Sequence, residues 1–218
     1  MSEPLDASLP TARGGDGPPE PRPAGLAGLA SEVFAAIPEI ADDMRARPGG
    51  ETCPQFLARL VASATPEEAV TFCAYLLPPA AAVAWGHRCL AAKPAASGPA
   101  DAFLMDLIAA WLAAPSDGPE SEELRREILA IAEASRPRSP AVWIALGLGW
   151  SSGSISAPDL PAVPAPAFAT PRAINAGILG LLARGEIAGR AAELQDFVAL
   201  ARRIAAAIVA GEDFRPRR

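Results

Sequence analysis

The chain has 218 residues with a formal net charge of -6 and a pI near 4.9, a balance that excludes bulk electrostatic affinity for nucleic acid. Half of it is hydrophobic, about a quarter is alanine, aromatics are only 6%, and it carries 24 prolines and 18 glycines. Many small helix-formers with few β-branched residues predict helices separated by stiff breaks, in an all-α domain with mass enough for a real core.

Residues 1–27 are dense in Pro and Gly with scattered charge of both signs, which predicts a disordered lead. They show no basic start followed by an apolar block, so no secretory leader is expected. In residues 28–50, Leu29, Val33, Ile37, Ile40 and Met44 recur at helical spacing. Pro38 interrupts that stripe and Pro48-Gly49-Gly50 ends it. The segment reads as a short amphipathic arm on a flexible joint, and two fates follow. Either it docks in a partner's groove, with Val33, Phe34 and Ile37 as the contact residues, or it packs back on its own domain.

The globular part is expected over residues 51–214. A first helix runs over 54–62, with Phe56, Leu57, Leu60 and Val61 inward. Thr65-Pro66-Glu67-Glu68 is a helix-start pattern in which Thr65 caps, Pro66 takes the first helical position and Glu68 reaches back. That helix reaches about residue 77, and Pro78-Pro79 breaks it and opens the next, to about residue 93. Further helices follow over 101–114 and from Asp117-Gly118-Pro119-Glu120 onward. In the latter, Leu124, Ile128 and Ile131 are expected inward, and Glu122, Glu123, Arg125, Arg126 and Glu127 outward. Ser139-Pro140 opens another apolar helix to about residue 150.

Prolines at 158, 161 and 164 match the three-residue turn of polyproline II, so residues 151–170 predict an extended strap. The strap either packs across its own helices or presents a polyproline surface to a partner. Helices over 171–184 and 190–210 complete a count of seven or eight, with no strand. The longest apolar stretches fall short of the ~20 residues a membrane span needs.

Candidate chemistry is sparse. Cys53, Cys73 and Cys89 are too few and too scattered for a disulfide framework, and with His87 they lack the paired spacing of a zinc site. His87 and Cys89 lie two apart, about 200° around a helix, so they form no dyad. Gly149-Trp150-Ser151-Ser152-Gly153 matches the nucleophile-elbow pattern, but a helix precedes it where the elbow needs a strand. The sole lysine, Lys93, sits in no phosphate-binding loop. No cofactor is expected. Trp85, His87, Trp150 and the turn Ser151, Ser152, Gly153 and Ser154 are instead candidate partner-binding residues, Trp150 because it stands where a helix meets that turn.

Two stretches carry a resemblance. One is Tyr75-Leu76-Leu77-Pro78-Pro79 followed by Ala82-Val83-Ala84-Trp85 and Cys89. The other is Trp143 with Gly149 to Ser154, then Leu160-Pro161-Ala162-Val163-Pro164 and Thr170-Pro171-Arg172-Ala173. Across 52–185 the chain resembles an uncharacterised bacterial all-helical family met in type VI secretion gene neighbourhoods. It departs from that pattern at Ala84-Trp85, where two adjacent aromatics are usual, and at His87-Arg88, near which a second cysteine is usual. The resemblance implies a cytoplasmic accessory of the secretion machinery: a non-enzymatic adaptor or chaperone-like module whose protein partner is an effector, tip or spike component. It supplies no catalytic residue. Two alternatives stand beside it: a structural accessory that self-associates as a homo-oligomer through the arm, and a small helical enzyme using His87 or Ser151.

Overall fold

A sequence that is apolar on every side over Pro140–Gly149 has only one stable place, the middle of the molecule. In the computed structural model, which describes residues 28–93, 98–115, 118–157 and 159–214, that helix (α8) is buried along nearly its whole length. Around it pack Pro79–Ala91 (α5), Pro99–Ala113 (α6), Pro119–Ala134 (α7) and Ala169–Arg184 (α9). A second layer is made by Cys53–Val61 (α3), Glu68–Leu76 (α4) and Arg190–Val209 (α10), with α4 and α10 packed on each other. The described residues hold ten α-helices, one 3₁₀ turn and no named strand, so the all-α, single-domain expectation holds. No helix among them is long and apolar enough to cross a membrane. The lead over residues 1–27 lies outside the described residues, as does Asp117 of the expected α7 cap.

Close approach at the centre depends on two missing side chains. A Cβ on Gly86 of α5 would lie 2.5 Å from Ile144 Cδ1, and one on Gly177 of α9 would lie 2.7 Å from the same atom. Ile144 of α8 is therefore wedged between two glycine faces, which lets three helices share one contact. Ser139 caps α8 as its position before Pro140 predicts, accepting from Val142 N at 3.2 Å.

The arm is Ala30–Ala36 (α1) and Ile40–Asp43 (α2), and it is closed on its own domain. Val33 and Ile40 are buried, and Phe34 joins Phe56 and Phe72 in an aromatic cluster with centroids 4.8–6.4 Å apart. Leu29 bridges to Thr52, and Asp43 accepts from Tyr75 Oη and from Arg172 Nε, the latter at 2.8 Å. The joint expected to be flexible is pinned as well. Arg59 Nη2 donates to Arg47 O and its Nε to Glu51, both at 2.8 Å. Of the arm's two fates, the structure takes the one in which its apolar face is already used.

One local expectation fails. Glu68 does not reach back to Thr65; its carboxylate accepts from Arg45 N at 2.8 Å and Ala46 N at 3.0 Å. The helix-start pattern at Thr65 opens on a short turn instead, and the capping carboxylate ties the arm to α4 across the fold. A reciprocal cap does form at α3, where Thr52 N donates to the Gln55 side chain at 3.0 Å.

Candidate interaction site

The inward residues of α7 are Ser121, Arg125, Ile128, Leu129 and Ala132. The helix is thus turned by about one position from the Leu124–Ile128–Ile131 stripe, and Arg125, expected on the solvent face, is 1% exposed. The reason lies on α8. A Cβ on Gly149 would come within 2.7 Å of Leu129 Cβ, so glycine there lets α7 close onto the end of α8 at Leu129. One turn earlier, Arg125 then falls against the last carbonyl of α8.

There each nitrogen of its guanidinium is engaged. Nε and Nη2 grip the two oxygens of Glu122 at 2.6 and 2.7 Å, Nη1 donates to Gly149 O, and Nη2 also donates to Ser154 O at 3.0 Å. Arg126 donates to the same Glu122 at 2.8 Å and to Ser156 O at 3.2 Å. Hydrogen bonds from Arg125, then from Arg126, hold the Glu122 carboxyl below the ordinary carboxylate range. Gly153 completes the junction with φ +65, in the left-handed region, where a Cβ would also stand 2.9 Å from Arg125 Nη2. Both the backbone angle and the space require glycine.

The segment beyond Gly153 is not the extended strap expected from its prolines. It folds back on itself. The Ser154 hydroxyl pairs with that of Ser156 at 2.7 Å and accepts from Val163 N at 2.9 Å, while Ile155 N donates to Val163 O at 2.8 Å. Serine hydroxyls thus close a loop that proline spacing alone would leave open. Its apolar side chains face solvent: Leu160 is 57% exposed, Val163 48% and Ile155 40%. Of the two fates expected for this segment, packing across its own helices does not describe the structure, since these side chains stand exposed.

The other candidates divide by burial. Ser151, Ser152, Gly153 and Ser154 lie together at the root of this loop, and Trp150 stands beside them, partly buried against the core. Trp85 does not belong to any surface. It is fully buried in α5, with its indole N–H donating to Phe197 O at 2.9 Å, because α5 is enclosed on nearly all sides. Val33 is buried in the arm's own contact, with Phe34 and Ile37 packed against the core beside it. His87 is half-buried, with Nε2 at 3.2 Å from Met105 O, and burial pushes its imidazole below its ordinary value. The Ser151 hydroxyl turns back to donate to Leu148 O at 2.7 Å, at a helix end and not at a strand–helix elbow. All three thiols are buried, and burial raises their pKa values, that of Cys53 to about 11. Among the described residues, no group of three or more His, Cys, Asp or Glu side chains is placed to hold a metal ion.

Reading residues one by one missed Arg125, Glu122 and Arg126. The available signal was that Ser121, Arg125, Ile128 and Ala132 keep a 4-3-4 spacing, which places an arginine on a core stripe.

Fold and site define an all-α domain that holds one surface loop in a fixed shape by a buried arginine. Residues 56–205 match a family of unknown function, DUF6931, and the chain belongs to that family. No curated protein and no solved structure matches it.

Proposed function

We propose that this chain is a non-enzymatic protein-interaction module that binds its partner through the loop to which residues 154–157 and 159–166 belong. One observation carries the reading: Ile155, Leu160 and Val163 expose apolar surface on a segment that Arg125, Arg126 and Ser154 hold in one conformation. Exposed apolar side chains on a preorganised loop lower the ordering cost of binding, which is what a docking element requires. The resemblance to a family from type VI secretion neighbourhoods supports the finer reading, a cytoplasmic adaptor or chaperone-like accessory whose partner is an effector, tip or spike component.

The test is affinity capture from the native host with wild type and the Leu160→Asp/Val163→Asp double variant side by side. Both side chains are exposed, so the variant keeps its fold, with a stability change of about 0.5 kcal/mol or less. The expected result is one partner in near-stoichiometric amount with wild type and its loss with the variant. Equal recovery from both would remove the loop from the reading. An enzyme would instead show an activity lost in His87→Ala or Ser151→Ala and retained in the loop variant.

A further inference from the structure

Helices α3 and α10 each pack on α4, and between them a groove of about 310 Å³ stays open. Its floor is apolar: Leu57 and Val198 are buried, and Val61 is half-buried. Leu57 and Val61 stand four apart on α3, so the floor runs about 6 Å along that helix. Gln195 and Arg202 form its exposed rim on α10. Arg202 is the one charged residue among those lining the groove, and it forms no ion pair among the described residues. An apolar floor beside an unpaired cation suits an aliphatic segment that carries a carboxylate.

The chain itself supplies such a segment, and its point of attachment lies beside the groove. Cys53 N, at the start of α3, donates to Gly28 O at 3.0 Å. Residues 1–27 therefore join the domain about one helical turn, some ~6 Å, before Leu57. Ahead of Arg13 the lead holds two acids, Glu3 and Asp6, and no base, and Asp6 stands between Leu5 and Leu9. Beyond Leu9 the lead has one more large aliphatic residue, Leu26, with no acid beside it. Charge and apolarity thus coincide only over residues 3–9. Nineteen residues separate Leu9 from Gly28, an extended reach of roughly 60 Å, against about 12 Å along α3 from Cys53 to Val61. Attachment to the same chain gives an effective concentration on the order of 1 mM, so even a weak site would be filled.

We infer that residues 3–9 dock in this groove of their own chain, with Leu5 and Leu9 on its apolar floor and Asp6 against Arg202. The inference does not depend on the loop binding a protein, since the groove is lined by α3 and α10 and the loop follows α8.

The test is paramagnetic broadening in the ¹⁵N-labelled full chain with a nitroxide on Thr11→Cys, just outside the docking segment. The three native thiols are buried, so the label goes to the new cysteine alone. Strong broadening of the amides of residues 57–61 and 195–202 is expected, unchanged on tenfold dilution. Leu5→Asp/Leu9→Asp should abolish it. Arg202→Glu should at least halve it, because reversal replaces an attraction by a repulsion. Arg202 is exposed, so that variant keeps its fold, which its own spectrum reports. Broadening spread over other faces, or of the same strength in both variants and the parent, would overturn the inference. A mixture of nitroxide-bearing chain without ¹⁵N and ¹⁵N chain without nitroxide gives a third check. Broadening that passes between molecules there would overturn docking on the same chain and make a second copy's lead the occupant. The Leu160→Asp/Val163→Asp variant should show the parent's broadening, so failure of the loop reading leaves this result intact.

Discussion

Replacing Arg125 by alanine should cost about 3 kcal/mol. The side chain is 1% exposed and serves two backbone carbonyls, Gly149 O in a buried position and Ser154 O in a partly buried one. Orphaning a buried acceptor costs roughly 1–3 kcal/mol, so about 2 is assigned to Gly149 and about 1 to Ser154. Nothing is added for Glu122, whose side chain is 41% exposed and keeps Arg126. For a chain of this length the loss corresponds to roughly 6–12 °C in Tm, and in urea to a lower midpoint with an unchanged slope. Arg125→Met, which refills volume but supplies no donor, should recover less than half of it. Amide exchange adds a local readout. Ile155 N–H, bonded to Val163 O at 2.8 Å, should exchange much faster in Arg125→Ala while amides of α4 slow or quicken only with global stability. A stability loss under about 1 kcal/mol, or unchanged exchange at Ile155, would refute the assignment of Arg125 as the loop's anchor.

Three further outcomes follow from the geometry. Gly86→Ala and Gly177→Ala should each destabilise by about 1–3 kcal/mol through Ile144. Adding Ile144→Val should rescue the first more than the second in urea melts, since a Cβ on Gly177 also meets Pro140 O at 3.0 Å. Glu122 has a folded pKa below its ordinary 4.5, so its contribution is present above that pH and is lost as pH falls through the lower folded value. Acid titration of stability should therefore show a steeper decline below about pH 4.5 in wild type than in Glu122→Gln. Cys53, Cys73 and Cys89 are buried with raised pKa values, so an aromatic disulfide reagent at pH 8 should label none in the native state and all three in denaturant. Rapid native labelling at any of them would contradict the packing of α3, α4 or α5.

Legibility followed the range of the interaction. Pro140 after Ser139, Pro79 after Pro78 and the apolar run of α8 are decided by neighbours in sequence, and the helices they imply are present. Glu68 shows the limit. Its place after Thr65 fits a local cap, but two arm amides from more than twenty residues away compete for the same carboxylate and win. The loop shows it again, because proline spacing speaks for an extended chain while Ser154 bonds both Ser156 and Val163 and turns it back.

By itself the sequence determined the helical class, most element starts and stops, and the fact that α8 lies inside. These rest on caps, breaks and periodicity, which act within a turn or two of chain. Only the tertiary structure decided which way α7 faces, because the space opened by Gly149 against Leu129 rotates it so that an arginine points inward. From that rotation come the buried grip on Glu122 and the anchored loop. Their donors and acceptors lie up to 30 residues apart, a distance across which no local rule reaches.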